Sequence, residues 1–214
     1  MRISFFGHSS FFIEQEGGIR IITDPYEPGC YNGTLQYAPI DESADIVTIS
    51  HGHADHNFAS GFPGAKILDK EGSYNILNID IEGILSYHDR AEGKFRGRNV
   101  IFVIKSEGLK VAHFGDLGTT NINYEKLKDI DVAMMPVGGH STVSTAEVNS
   151  LYEKLNPRIF LPMHYKTGKL DFDIATEEEF LSGKTDIEVL NDIEITCATI
   201  KSFHKKIIML NYQR

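Results

Sequence analysis

The segment Ser50-His51-Gly52-His53-Ala54-Asp55-His56 sets three histidines and an aspartate among six consecutive positions, 51–56. A chain carrying it must fold so that these side chains converge on something. Alternate residues of an extended chain point the same way, so His51 and His53 offer their imidazoles to one ion. If the chain then turns, Asp55 and His56 face a second ion nearby. Neutral imidazole and carboxylate suit zinc, manganese or iron, and the small Gly52 and Ala54 leave room for crowded ligands. The cluster follows ADIVTIS, a short apolar run suited to a buried strand, so it is expected at the mouth of a sheet. A solvated polar loop is the alternative. Four ligand-type side chains in this spacing, directly after an apolar strand, favour the metal site over it.

With 214 residues the chain fits one sizeable domain, 1–214. That length buries a substantial core without disulfides or a structural metal, so any metal here is expected to serve chemistry. The formal net charge is −9 and no dense Lys/Arg block occurs, which weighs against a nucleic-acid partner. Cys30 and Cys197 lie far apart and match no metal or redox spacing. Their scarcity suits a reducing cytoplasm. The N-terminal stretch lacks the unbroken apolar run of a signal peptide, and nothing approaches the roughly 20 apolar residues of a membrane span. A cytoplasmic protein with a small-molecule substrate, and no membrane partner, is expected.

Along the chain, RISFFGHSSFFIEQ and IRIITD read as two strands joined at Gly17-Gly18, and 25–44, with Pro25, Pro28 and Pro39, as an irregular connection. Further strands are expected at 65–69, 81–86, 99–105, 109–114 and 131–137, with a helical stretch around 122–129. Val148, Leu151, Tyr152 and Leu155 follow helical spacing over 145–155, and Ser144 with Glu147 forms a candidate capping box. Asn156-Pro157 stops that helix before the strand RIFLP. Thr176 and Glu179 suggest a second capped helix, and IEITCATI and KIIMLNY read as strands. Strands and helices so mixed predict a layered α/β domain. No Gly-x-Gly-x-x-Gly, Walker loop or Gly-x-Ser-x-Gly elbow is present, which removes nucleotide-binding and serine-hydrolase readings.

The His-x-His-x-Asp-His pattern at 51–56, followed in order by Ser86-Tyr87-His88, His113-Phe114-Gly115-Asp116 and Pro162-Met163-His164-Tyr165, resembles the metallo-β-lactamase superfamily over nearly the whole chain. Gly7-His8-Ser9-Ser10, Thr23-Asp24-Pro25 and Pro136-Val137-Gly138-Gly139 make it similar to the branch with ascorbate-6-phosphate lactonase-like and phosphodiesterase-like members. The resemblance implies a four-layer αβ/βα sandwich. It also implies two divalent metals, zinc first with manganese or iron as alternatives. One would be held by His51, His53 and His88 and the other by Asp55, His56 and His164, with Asp116 as the bridge. The nucleophile implied is hydroxide held by the metals, oriented by Asp55 and Asp116, with Asp55 as the candidate proton acceptor.

Other residues are weighed beside these. His113 falls in an apolar strand and reads as a hydrogen-bonded core or supporting histidine. The resemblance brings His8 close to the metals, where a supporting or substrate role is weighed against a structural one. Asp24 either fixes a ligand histidine's tautomer or caps a turn before Pro25. His140 either meets an anionic substrate group or serves its loop, and His204 reads as exposed. The expected activity is hydrolysis of a small anionic phosphodiester or lactone/ester. A nuclease acting on RNA or DNA, or an iron-dependent redox or sensor protein, are the competing functions.

Overall fold

Alternation along the early strands fixes the layout of half the molecule. The computed structural model describes residues 1–214. It begins with β1 (Arg2–Gly7), β2 (Ser10–Glu14), β3 (Arg20–Thr23), β4 (Ile46–Thr48) and β5 (Lys66–Leu68). Successive side chains of a strand face opposite ways, and here both faces are apolar. Ile3, Phe5, Phe11, Ile13, Ile21 and Ile46 enter the main core, whereas Phe6, Phe12, Ile22 and Val47 enter a second cluster on the outer face. That outer cluster is covered by Tyr26, Leu35, Tyr37 and Phe62 from the irregular connections, not by a helix.

The remaining strands are β6 (Gly72–Ile76), β7 (Ile79–Tyr87), β8 (Arg98–Ser106), β9 (Leu109–His113), β10 (Val132–Pro136), β11 (Ile159–Met163), β12 (Ile187–Leu190), β13 (Asp192–Glu194) and β14 (Lys206–Leu210). Two sheets result, ordered β13-β1-β2-β3-β4-β5 and β12-β14-β11-β10-β9-β8-β7-β6. One apolar cluster of 46 buried residues joins their facing sides to the helices outside the second sheet, through Val148, Leu151, Leu155 and Phe180. β10 and β11 are parallel and buried throughout, as their unbroken apolar sequences require. The crossover that parallel pairing demands is the helix Thr145–Leu155. On the outer face Tyr152 packs edge-on against Phe160, and Phe160 stacks on Phe180 of the helix Glu177–Leu181, at centroid distances of 5.3 and 4.9 Å. The architecture is the expected mixed α/β two-sheet sandwich. No helix is long and apolar enough to cross a membrane.

The capping box is formed: Ser144 Oγ accepts from Glu147 N while Ser144 N donates to Glu147 Oε2 at 2.8 Å. Ser144→Ala should therefore cost about 1 kcal/mol. For a chain of this size that lowers Tm by about 2–4 °C, read by calorimetry. No change in Tm would mean that packing alone holds the helix.

Several local expectations need correction. The first predicted strand is two, broken at Gly7-His8-Ser9, where Gly7 has φ 130° and His8 φ 55°. A Cβ at Gly7 would lie 2.5 Å from the Tyr37 ring, so only glycine lets the connection cross there. The 122–129 stretch is a run of turns, not a helix, with Ile122, Leu127 and Ile130 each pinned in the core. Within IEITCATI only the start is strand; Thr196 then accepts from Ala198 N and Thr199 N and opens a 3-10 turn at Thr199–Ser202. Thr176 precedes the second helix without a side-chain cap, and Glu179 accepts instead from Thr145 Oγ1 at 2.5 Å.

Candidate metal centre

Strand direction gathers the polar residues. β1, β3 and β4 run one way in the first sheet, and β7, β9 and β11 share a direction in the second. His8 follows β1, Asp24 follows β3 and His51 follows β4, while His88, Asp116 and His164 follow β7, β9 and β11. Each lies just beyond the carboxyl end of its strand, where open sheets leave a crevice. Two separate groups of potential ligands form there, His51-His53-His88 and His8-Asp55-His56-His164, and a third, Asp24-His51-His56, overlaps both; in each the ligand atoms lie within 4.8 Å of one another.

Asp116 stands between the groups. Its Oδ2 is 3.2 Å from His88 Nε2, 3.2 Å from His164 Nε2 and 3.9 Å from His51 Nε2, and its Oδ1 is 3.3 Å from His56 Nε2. Yet His56 Nε2, His88 Nε2 and Asp116 Oδ1 are buried without a hydrogen-bond partner. Buried polar atoms left so cost free energy unless something satisfies them. Several that converge, from imidazole and carboxylate only, fit a bound divalent cation.

Asp24 is bonded to a candidate ligand histidine and to the serine beside another. It is fully buried; Oδ1 accepts from Ser50 N at 2.7 Å, and Oδ2 accepts from Ser50 Oγ at 2.5 Å and from His56 Nδ1 at 2.9 Å. Ser50 spends its one hydroxyl proton on Asp24, so at 2.9 Å its oxygen accepts from His51 Nδ1. One carboxylate thus fixes a histidine in each group, leaving Nε2 of both to face the centre. The chain can pack this tightly because Gly115, at φ 55°, lacks a Cβ that would lie 2.4 Å from both Asn99 Oδ1 and Ser50 Cβ.

Electrostatics agree with a cation. Burial, then repulsion from His56, pushes the His51 imidazole down to about 3, and burial with His164 pushes His8 down to about 4. Both are therefore neutral, the form that ligates. Burial alone would raise Asp116 and Asp55, but His164 and His56 hold the first, and His56 and His8 the second, well below the usual carboxylate range. Burial would lower His56, yet Asp116 and Asp55 raise it. Three carboxylates around one imidazole call for a positive charge, and a metal supplies more than a proton does.

His8 Nε2 donates to Asp55 Oδ2 at 2.9 Å, and its ring lies beside those of His56 and His164. His113 is buried, and its Nε2 bonds to Ser9 O at 2.8 Å. His140 is exposed on left-handed backbone and lines the cavity over the centre; His204 is exposed and lines a separate surface hollow with Arg158. Sequence reasoning passed over Tyr31, whose hydroxyl donates to Asp55 Oδ1 at 3.1 Å. It stands in a left-handed turn (φ 53° at Tyr31, 57° at Asn32), a conformation that costs a bulky residue about 1–2 kcal/mol. Its only sequence signal was the flanking glycine pair, Gly29 and Gly33. Burial, then Asp55, raises the phenol to about 12, so it keeps its proton.

The family model for the beta-lactamase superfamily domain matches residues 2–164. A candidate Zn-dependent hydrolase of the metallo-beta-lactamase superfamily from Thermotoga maritima superposes with a TM-score of 0.75 at 31% identity, covering 98% of this chain and 97% of its own. A UPF0173 metal-dependent hydrolase from Pyrococcus furiosus is 28% identical over 78% of this chain and 85% of its own length. Another, from Thermococcus onnurineus, is 28% identical over 91% and 98%. By ligand order, by fold and by these matches, the chain belongs to the metallo-β-lactamase superfamily.

Proposed function

We propose that the chain is a metal-dependent hydrolase of a small anionic phosphodiester or lactone, whose two candidate ligand groups and Asp116 would hold two divalent cations. The observation that carries this reading is Asp116 Oδ2, equally 3.2 Å from a histidine of each group. His51, His53 and His88 would hold one ion, Asp55, His56 and His164 the other, and Asp116 both. Zinc is the first expectation from the donor set, with manganese or iron as alternatives. When bound, such a pair supplies Lewis acidity and a water acidified toward neutral pH.

The side chains divide the remaining work. Asp24 and Ser50 hold His56 and His51 in the ligating tautomer. His8 and Tyr31 aim the two oxygens of Asp55. Because Asp55 is held so far below the ordinary carboxylate range, orienting the water suits it better than taking its proton. Tyr31 keeps its proton at neutral pH and gives it to Asp55 Oδ1 in a hydrogen bond, which holds that oxygen in place. The cavity over the centre, about 550 Å³, is of small-molecule size, and the net charge of −9 opposes a polyanion. Both points favour a small substrate over RNA or DNA.

The test is hydrolysis of bis(p-nitrophenyl) phosphate and of a lactone series by zinc-loaded and manganese-loaded protein. Turnover on one series, lost on chelation and regained with metal, is expected. Fully loaded protein inert on both series would overturn the reading, and oxygen consumption by an iron-loaded form would replace it with a redox role.

A further inference from the structure

Arginine pairing singles out one residue. The chain has seven arginines, and six have a carboxylate within 4 Å: Arg2 with Glu14, Arg20 with Asp45, Arg90 with Glu147, Arg98 with Glu71, Arg158 with Asp131 and Arg214 with Asp41. Arg96 alone has none. It is also the one permanent cation lining the cavity over the metal centre.

Its placement is built. The loop that bears it leaves the sheet at His88 and closes on itself, with His88 N donating to Gly97 O at 3.1 Å. Asp89 ties the loop from inside: Oδ1 accepts from Ala91 N and Gly93 N at 2.8 and 3.1 Å, and Oδ2 from Phe95 N and Arg96 N at 3.0 and 2.8 Å. Four backbone bonds to one carboxylate fix where the Arg96 main chain sits relative to His88. The guanidinium itself stays unspent.

Two cavities meet at this residue. The one over the centre, about 550 Å³, and a neighbouring one of about 700 Å³ are both lined by Arg96 and by His53. In the second, Arg98 and Glu71 neutralise each other, leaving Lys70 and Arg96 against Asp69. In the first, the carboxylates outside the ligand set are Asp171, paired with Lys166 at 3.8 Å, and Asp173. A planar guanidinium receives a carboxylate or phosphate through two parallel hydrogen bonds, and nothing in the chain uses that capacity here.

We propose that Arg96 is a specificity-determining residue that selects substrates carrying a second anionic group, carboxylate or phosphate, beside the scissile bond. The proposal rests on the hydrolase reading of the same centre. In it the scissile group sits over the metals, and the second anion lies against Arg96 where the cavities join.

Binding of dicarboxylates separates this claim from turnover. Zinc-loaded protein is titrated calorimetrically with the series from succinate to adipate, and with monocarboxylates of matching length. The wild type should bind at least one dicarboxylate about 10–100-fold more tightly than its monocarboxylate partner, the range for a charge-assisted bond. In Arg96→Gln that ratio should collapse to within about 2-fold while zinc content and the circular dichroism spectrum stay as in the wild type. Arg96→Lys should keep part of the ratio, because it keeps the charge without the fork. A wild type with no dicarboxylate preference, or a preference that survives Arg96→Gln, overturns the proposal. Failure of the hydrolase reading looks different: no zinc uptake, or no turnover on phosphodiesters and lactones despite a clear dicarboxylate preference.

Discussion

Asp116→Ala is expected to lower bound metal from about two ions per chain to one or none, and to reduce hydrolysis by about 1,000-fold or more. Partners behind a ligand are alone worth about 10–100-fold in metal affinity or activity, and Asp116 is proposed as a ligand itself, close to both groups at once. Its oxygens are within 3.3 Å of Nε2 of His56, His88 and His164. On the proposed two-ion reading, removing it would take one ligand from each ion and the negative charge between them. Asp116→Asn tests charge apart from shape: it fills the same space but leaves the two ions less screened from each other. Metal content by mass spectrometry, beside a circular dichroism spectrum to establish folding, reads the result. Two ions retained in a folded Asp116→Ala protein would remove Asp116 from the bridge and with it the paired-ion arrangement.

The parts of this site that the sequence made legible share a property. His51, His53, Asp55 and His56 fall within six positions, so strand alternation and one turn suffice to bring them together. His88, Asp116 and His164 were reached through order and family likeness, and the fold explains their order: each follows a strand running the same way in one sheet. Asp24 remained divided between two readings because its function depends on Ser50 and His56, 26 and 32 positions away. Tyr31 and Arg96 left no motif at all. Tyr31 reaches Asp55 only through left-handed backbone, which propensity argues against, and Arg96 stands out only once every other arginine is seen to be paired. The breaks in local expectation follow the same logic. At Gly7-His8-Ser9 a strand-like run yields so that His8 can turn inward to Asp55, and at 122–129 helix-like composition yields to three apolar anchors in the core.

Asp24→Asn changes one atom and should weaken both metal sites. The carboxylate makes three bonds as acceptor only: from Ser50 N to Oδ1, and from Ser50 Oγ and His56 Nδ1 to Oδ2. An amide has one acceptor and one donor end. If its NH2 takes the Oδ2 position, His56 Nδ1 must become an acceptor, which puts the proton on Nε2, the atom that faces Asp116. Ser50 Oγ then accepts from the amide and turns its own proton toward His51 Nδ1, which likewise moves the His51 proton to Nε2. Each group loses a lone pair aimed at its ion. If the NH2 takes the Oδ1 position instead, it meets Ser50 N–H donor to donor, leaving buried donors unsatisfied at about 1–3 kcal/mol. Asp24 is fully buried, so water cannot readily repair either arrangement. Affinity should fall about 10–100-fold at both sites, measured by competition with a chelator of known zinc affinity. Ser50→Ala separates the two arms. It cuts the link to His51 but leaves His56 bonded to Asp24, so only one of the two zinc ions should weaken. Asp24→Asn with both affinities unchanged would show that the histidines are held by packing and not by this carboxylate. Loss confined to one ion would reduce Asp24 to a partner of His56 alone.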